Sequence, residues 1–305
     1  MQRVAVIDVG SNSTKLLLAE HSSNGTLKTV LDTTSITGLG EGLRQSRRLS
    51  PEAKERTCRT INEFAALAKQ YRADQIIAIG TMALRGAQNS SAFIEMVKAT
   101  SGIDIRVISG EEEASLSYLA TLSGIKLHDC ETVIFDTGGG STEFIFGKGE
   151  SITRKLSVNL GVITISEEYF ISDPPTQAQL EIALCEIKEI LTAHKINGPV
   201  PQLVGIGGTV TTMGAVKQRM ERYDPEAIQG STLQLSEVNE QIAEFSSKTL
   251  EERKQIRGLE PKRAPIILAG ACIVKIIMEL LQNETLVISD RGIRHGLALN
   301  LLRQT

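Results

Sequence analysis

Two stretches of this chain superpose without a gap. Residues 133–146 read VIFDTGGGSTEFIF and residues 4–18 read VAVIDVGSNSTKLLL. Shifted by 128 residues (136 minus 8), Asp8 falls on Asp136, Gly10 on Gly138, Ser13 on Ser141 and Thr14 on Thr142, with Lys15 opposite Glu143. Apolar, β-forming runs flank both glycine-containing centres, so each stretch reads as a hairpin with a Gly-rich tip. Glycines let backbone N–H groups converge and let an anion approach without a Cβ in the way. The pattern implies an internal duplication: two lobes, each offering a phosphate hairpin to a shared cleft.

The donors expected to hold phosphate oxygens are the amides and side chains of Gly10, Ser11, Asn12 and Ser13, and of Gly138, Gly139, Gly140, Ser141 and Thr142. Asp136 and Glu143 would repel a bare phosphate. They make sense with a divalent cation or a water nucleophile between them and the phosphate.

A chain of 305 residues suits two domains of about 150 residues each. The formal net charge is −3 with acids and bases interspersed, and without a basic stripe nucleic acid is not expected as a partner. The absence of Trp removes the usual stacking platform for single strands. The four cysteines (Cys58, Cys130, Cys185, Cys272) show no pairing signature, which fits a reduced, cytoplasmic setting with the thiols as small buried hydrophobes. A strand-like run begins two residues after Met1, unlike a signal peptide. No apolar run approaches the ~20 residues needed to span a bilayer.

Along the chain, strands are expected at 3–9, 14–21 and 27–35, then a glycine loop at 38–42. Ser50-Pro51-Glu52 opens a helix, with Ser50 as N-cap. Strands at 75–79 and 103–108 alternate with helices from Met82, from Ser90 or Ser91, and from Glu111. Such alternation adds a parallel portion to the hairpins. The second half repeats this logic, with strands at 152–158, 203–206 and 286–288. Its helices fall at 177–193, from about Val210, at 236–245, 250–256 and 292–302, with a buried apolar stretch at 261–281. His128-Asp129 reads as a loop pair and not as a metal site.

Two further loops could converge on a phosphate. Gly205-Ile206-Gly207-Gly208-Thr209 joins a strand to a helix N-terminus, where unpaired N–H groups favour anions; the alternative is a packing turn. Thr81 and Arg85 lie one helical turn apart after a strand and could hold a pair of phosphate oxygens; the alternative is a surface arginine. Glu111-Glu112-Glu113 opens a helix. Helical phase favours one inward carboxylate as a general base, the others decorating the helix dipole.

In order, the motifs DVGSNSTKLL, IGTMALR, ISGEEEA, DTGGGSTE and SDRGIRHG resemble the exopolyphosphatase and guanosine pentaphosphate phosphohydrolase (Ppx/GppA) family, within the actin, hexokinase and Hsp70 ATPase superfamily. The resemblance spans essentially the whole chain. It implies an α/β fold of two ribonuclease-H-like lobes, each a mixed five-stranded sheet with flanking helices, around an interdomain cleft. The lobes would be residues 1–125 plus 292–305, and 126–291 with helical additions. The implied chemistry is Mg²⁺-dependent release of terminal phosphate from linear polyphosphate or guanosine pentaphosphate, with a monovalent cation such as K⁺ as a second candidate cofactor, in a homodimer. By motif, Glu113 is the catalytic base with Glu112 as fallback. Glu143 and Asp136 close and open the second phosphate loop, Asp136 and Asp8 reach the metal, and Arg85 stabilises the next phosphate. Gly207 and Gly208 join the phosphate contacts. His295 stands where the family usually has Glu, and Pro265 where Asp is common; the C-terminal HD-like domain of long members is absent from this sequence. A kinase or ATPase of the same superfamily, or a non-catalytic phosphate sensor, are the rival readings.

Overall fold

A computed structural model of the chain describes residues 2–21, 27–125, 130–149 and 151–303; the His128-Asp129 pair lies outside the described residues. The chain divides into two units, Met1–Ala120 with Gly292–Thr305, and Thr121–Arg291.

In the first unit, β1 (Arg3–Val9), β2 (Ser13–His21), β3 (Leu27–Ile36), β4 (Gln75–Gly80) and β5 (Ile105–Val107) form a sheet in the order β3-β2-β1-β4-β5. β1 pairs antiparallel with β2, and β2 with β3, whereas β1–β4 and β4–β5 are parallel. Alternation along β1 explains how both sheet faces are covered. Ala5, Ile7 and Val9 join a core with Ile61, Phe64, Phe93 and Val97, from the helices Pro51–Gln70 and Ser90–Ser101. Val4 and Val6 point the other way, into a core with Leu116, Leu297 and Ala298, from the helices Gly110–Leu122 and Ile293–Arg303. A strand buried on both faces reads as a continuous apolar run, which is what residues 4–7 show.

Ser50 caps as expected, its hydroxyl accepting from Ala53 N–H at 3.1 Å, a contact worth about 1 kcal/mol. The helix Ser90–Ser101 differs: Asn89, not Ser90 or Ser91, occupies the N-cap without a side-chain cap bond. Its amide instead bonds both backbone groups of Leu49.

In the second unit, β6 (Glu131–Thr137), β7 (Thr142–Lys148), β8 (Ser151–Val158), β9 (Gln202–Ile206), β10 (Thr232–Gln234) and β11 (Thr285–Ser289) take the order β10-β11-β9-β6-β7-β8. Without β10, strand order and strand directions repeat those of the first sheet. This is the duplicated ribonuclease-H-like arrangement, corrected from five strands to six in this unit. The extra edge strand is three residues long, too short for periodicity to show. Leu233 is buried and Gln234 already belongs to the capping box of the helix Leu235–Ser247. The core gathers round Ile267–Leu280, buried along almost its whole length. Cys58 and Cys272 are buried, but Cys185 is exposed, a correction to the expectation that all four thiols pack inside. Among the described residues, no helix is long and apolar enough to cross a membrane.

Candidate active site

Both hairpin tips are built by the same turn. Gly10 N–H donates to the Ser13 carbonyl at 3.0 Å, and Gly138 N–H to the Ser141 carbonyl at 2.8 Å. A Cβ at Gly10 would lie 2.9 Å from that Ser13 oxygen, so a side chain there would force the turn open. Threonines at equivalent positions serve the scaffold. Thr14 and Thr142 are fully buried, and such hydroxyls must find partners. Thr14 bonds Thr37 at 3.0 Å, and Thr142 donates to the Leu160 carbonyl at 2.6 Å.

In the first unit, Asp8 is the next-to-last residue of β1, directly opposite Lys15 on β2. Asp8 is buried, and its Oδ1 has no hydrogen-bond partner among the described residues. Burial pushes its carboxyl above the usual range, opposed by the charges of Lys15 and Arg294. Arg294 itself grips Asp32 of β3, with Nη2–Oδ2 at 2.8 Å and Nε–Oδ1 at 3.1 Å. His295 Nε2 lies 3.5 Å from the same Asp32. Its Nδ1 accepts from Gly292 N–H at 3.3 Å, which leaves Nε2 as the protonated nitrogen. A glutamate here would set a second carboxylate against Asp32, so the His295 departure suits its neighbour. Ser11 Oγ turns towards Met82 Sδ at 3.8 Å, and the Asn12 carbonyl accepts from Thr37 and Gly38 N–H.

The Glu111–Glu113 triplet is resolved by its partners. Glu111 is exposed. Glu112 pairs with Arg106 at 2.7 Å, its side chain 38 % exposed. Glu113 turns inward, 14 % exposed, and its Oε2 accepts from Arg85 Nη1 at 2.8 Å. The same Nη1 donates to the Ile108 carbonyl at 3.0 Å. Arg85 is thereby aimed at the glutamate, and Thr81, though buried at the N-cap of Met82–Gly86, makes no side-chain cap bond. The structure brings the Arg85 side chain to Glu113, while its backbone N–H donates to the Thr81 carbonyl at 3.0 Å within the helix turn. Gly296 fixes the depth of the Glu113 helix: a Cβ there would lie 1.9 Å from the Leu116 carbonyl.

In the second unit, Asp136 faces Glu143 across β6–β7 and Ile206 across β6–β9. Glu143 is 2 % exposed, and its Oε1 accepts from Ser141 Oγ at 2.7 Å and Ser157 Oγ at 2.8 Å. The Ser141 and Thr142 hydroxyls are therefore both engaged within the fold. The Gly138 and Gly139 carbonyls accept from Val162 and Ile163 N–H, at the start of the helix Val162–Tyr169. Because the peptide is planar and trans, the amides of Gly139 and Gly140 then point away from that helix.

The glycine loop after β9 departs from expectation. The helix starts at Gly207, not near Val210, so Gly207-Gly208-Thr209 is its first turn. Gly207 has φ +83, and a Cβ on it would lie 2.0 Å from Asp136 Oδ1. The Asp136 carboxylate thus stands against the first residue of a helix, at its positive end. A Cβ on Gly208 would meet Arg263 Nη1 at 2.3 Å, so a guanidinium lies over the same turn. Sequence reasoning missed Arg263. It lies 55 residues beyond Gly208 (263 minus 208) and has no motif spacing to it; its one signal is a short charged run with Glu260 and Lys262 just before a long apolar helix. The exposed Pro265 lies inside the turn that follows Arg263, closed by Ile266 N–H on the Arg263 carbonyl at 3.0 Å.

No cluster of three or more His, Cys, Asp or Glu side chains able to hold a metal occurs among the described residues. Mg²⁺ is ordinarily bound through one or two carboxylates plus waters and substrate phosphates. In the first unit the buried Asp8 Oδ1, without a hydrogen-bond partner among the described residues, and in the second the half-buried Asp136 carboxylate, are each the kind of hard oxygen donor such a cation takes.

Comparison with known proteins places these features. The chain is 31 % identical over 300 residues to the bifunctional 3-dehydroquinate synthase/phosphatase of Fusobacterium nucleatum, covering 94 % of this chain but 44 % of that protein. It is 31 % identical to exopolyphosphatase 2 of Mycobacterium tuberculosis, over 99 % of both chains. It is 30 % identical to the guanosine-5'-triphosphate,3'-diphosphate pyrophosphatase of Aliivibrio fischeri, over 98 % of this chain and 59 % of that one. Among solved structures, the Ppx/GppA family member of Aquifex aeolicus matches with a TM-score of 0.84 at 32 % identity, over 99 % of this chain and 98 % of that chain. The Ppx/GppA phosphatase family model matches residues 17–305. With matched hairpin turns, a clamped inward glutamate and this end-to-end likeness, the chain belongs to the Ppx/GppA phosphatase family.

Proposed function

We propose that the chain is an Mg²⁺-dependent exopolyphosphatase that hydrolyses the terminal phosphoanhydride of inorganic polyphosphate and releases orthophosphate. The observation that carries this is Glu113, the inward member of an acidic triplet, held by Arg85 at 2.8 Å. A base must be fixed in orientation to take a proton from water in line with a scissile bond. Glu113 accepts that proton as the water oxygen bonds to the terminal phosphorus. The bridging P–O bond breaks, and its electron pair leaves with the shortened chain.

Arg85 orients the glutamate and, from the same place, offers charge to the neighbouring phosphate. The Gly10–Ser13 and Gly138–Thr142 turns present backbone amides to phosphate oxygens, with the Gly207-Gly208 helix start and Arg263 adding positive potential. Asp136, and Asp8 through water, would hold Mg²⁺, which when bound offsets charge on the bridging oxygens. Glu143, anchored by two serine hydroxyls, helps place the water or the metal.

The second reading, hydrolysis of guanosine pentaphosphate at its 5′ end, is favoured by the Aliivibrio relative. It keeps every role above and changes only the leaving group. The test is orthophosphate release with Mg²⁺ from long-chain polyphosphate, tripolyphosphate, guanosine pentaphosphate and ATP in parallel. Release from polyphosphate supports the first reading and release from the guanosine nucleotide alone supports the second. Release from ATP alone overturns both in favour of an ATPase or kinase, and binding without release in favour of a phosphate sensor.

A further inference from the structure

Residues 43–49 read LRQSRRL, three arginines and no acid, in a chain of net charge −3. Arg44, Arg47 and Arg48 are exposed, whereas Leu43 and Leu49 are buried and anchor the segment at both ends. The fold ties this segment to both anion-handling loops of the first unit. On one side, Leu43 N–H donates to the Gly40 carbonyl at 3.2 Å, and Gly40 N–H donates to the Ser11 carbonyl at 2.8 Å. On the other side, Gln88 N–H donates to the Arg47 carbonyl at 3.0 Å, and the Asn89 amide brackets Leu49 at 2.8 and 3.0 Å. Gln88 and Asn89 follow directly on the helix Met82–Gly86 that carries Arg85. The nearest acid before the segment, Glu41, is paired with Arg56 at 3.0 Å.

We propose that Arg47 and Arg48 form an outer anion subsite that binds phosphates of a linear polyphosphate beyond the one being cleaved. This rests on the polyphosphate reading of the site. A guanidinium fork matches phosphate oxygens in a way that a lone ammonium does not. The rigid anchoring of the segment means little ordering is needed when the chain lands. A subsite on the exposed flank of the catalytic loops is engaged only by a chain that extends past those loops, as long-chain polyphosphate does and the shortest chains do least. The subsite therefore selects for chain length.

The test is the double variant Arg47→Asn, Arg48→Gln. Asn is chosen because Arg47 has φ 54, a conformation Asn tolerates better than most residues. The ratio of KM for long-chain polyphosphate to KM for tripolyphosphate should rise about ten-fold, two exposed charge contacts being lost. An equal rise in both KM values, or no change in the ratio, overturns the proposal. Arg48→Gln alone should give a smaller shift in the same direction, and circular dichroism checks the fold of each variant. Titration with long-chain polyphosphate reads the subsite without turnover. The double variant should lose about ten-fold in affinity, and the slope of log affinity against log salt should fall by about 1.4, at about 0.7 per phosphate neutralised on a flexible strand. Wild type that binds long-chain polyphosphate but hydrolyses neither substrate sinks the polyphosphatase reading alone, and the titration then decides the subsite. Equal affinity of wild type and variant overturns it.

Discussion

Gly207→Ala tests whether Asp136 is held where the structure puts it. The substitution acts twice. The residue has φ +83, and an L side chain in that region costs about 1–2 kcal/mol. The new Cβ would also lie 2.0 Å from Asp136 Oδ1, well inside van der Waals contact, so the carboxylate must move by about 1 Å or more. For chains of this size each kcal/mol lowers Tm by roughly 2–4 °C, so the backbone effect alone predicts a fall of about 2–8 °C. A displacement of about 1 Å near the reacting groups costs on the order of 10²-fold in turnover. Orthophosphate release and thermal unfolding read the two effects separately. A thermodynamic cycle separates them further: in an Asp136→Ala background the clash is gone, and Gly207→Ala should cost less by about 1 kcal/mol. Gly86→Ala, where a Cβ meets nothing within 4 Å, is the neutral control. Wild-type turnover in Gly207→Ala, or an undiminished Tm loss in the Asp136→Ala background, would refute the placement of Asp136 against the helix start.

Three further outcomes are expected. Arg85→Met leaves Glu113 without its 2.8 Å partner and should lower kcat at least ten-fold, whereas Arg106→Met, which frees only Glu112, should leave turnover within two-fold. Asp8→Asn removes a buried carboxylate whose pKa burial pushes up; at pH 7 its Tm should rise while phosphate release falls, and a lower Tm would contradict this account of Asp8. Hydrogen bonds from Arg3 and then Lys28 hold Glu20 below the usual carboxylate range. Its contribution is complete above the unfolded value of 4.5 and is lost as pH falls through the lower folded value. Glu20→Gln should therefore lower Tm at pH 7, and the gap to wild type should close on acidification.

What the sequence shows of this site is what local chemistry encodes. The 128-residue repeat, the hairpins and the repeated strand order follow from glycine tips and from apolar runs around them. The register that sets Asp8 opposite Lys15, and Asp136 opposite Glu143, follows once the turn is fixed. Tertiary pairings are not legible in this way. Arg85 meets Glu113 across 28 residues, and Arg294 meets Asp32 across 262; no spacing rule reaches so far. Hydroxyls of Ser141 and Thr142 look like phosphate donors in one dimension, yet burial commits them to Glu143 and Leu160. The helix after β9 begins three residues before the expected start; two glycines, poor helix formers, hide that start in the sequence, and they stand where a Cβ would meet Asp136 and Arg263.

In the proposed mechanism Glu113, and not Glu112, takes the proton from the attacking water. The direct measurement is orthophosphate release from long-chain polyphosphate, with Mg²⁺, by wild type, Glu113→Gln and Glu112→Gln side by side. Glu113→Gln should lose about 10²–10⁴-fold in kcat with its fold intact. Glu112→Gln, which gives up only an exposed pair with Arg106, should stay within a few-fold of wild type. Near-normal turnover by Glu113→Gln, with the loss falling on Glu112→Gln instead, would contradict the account.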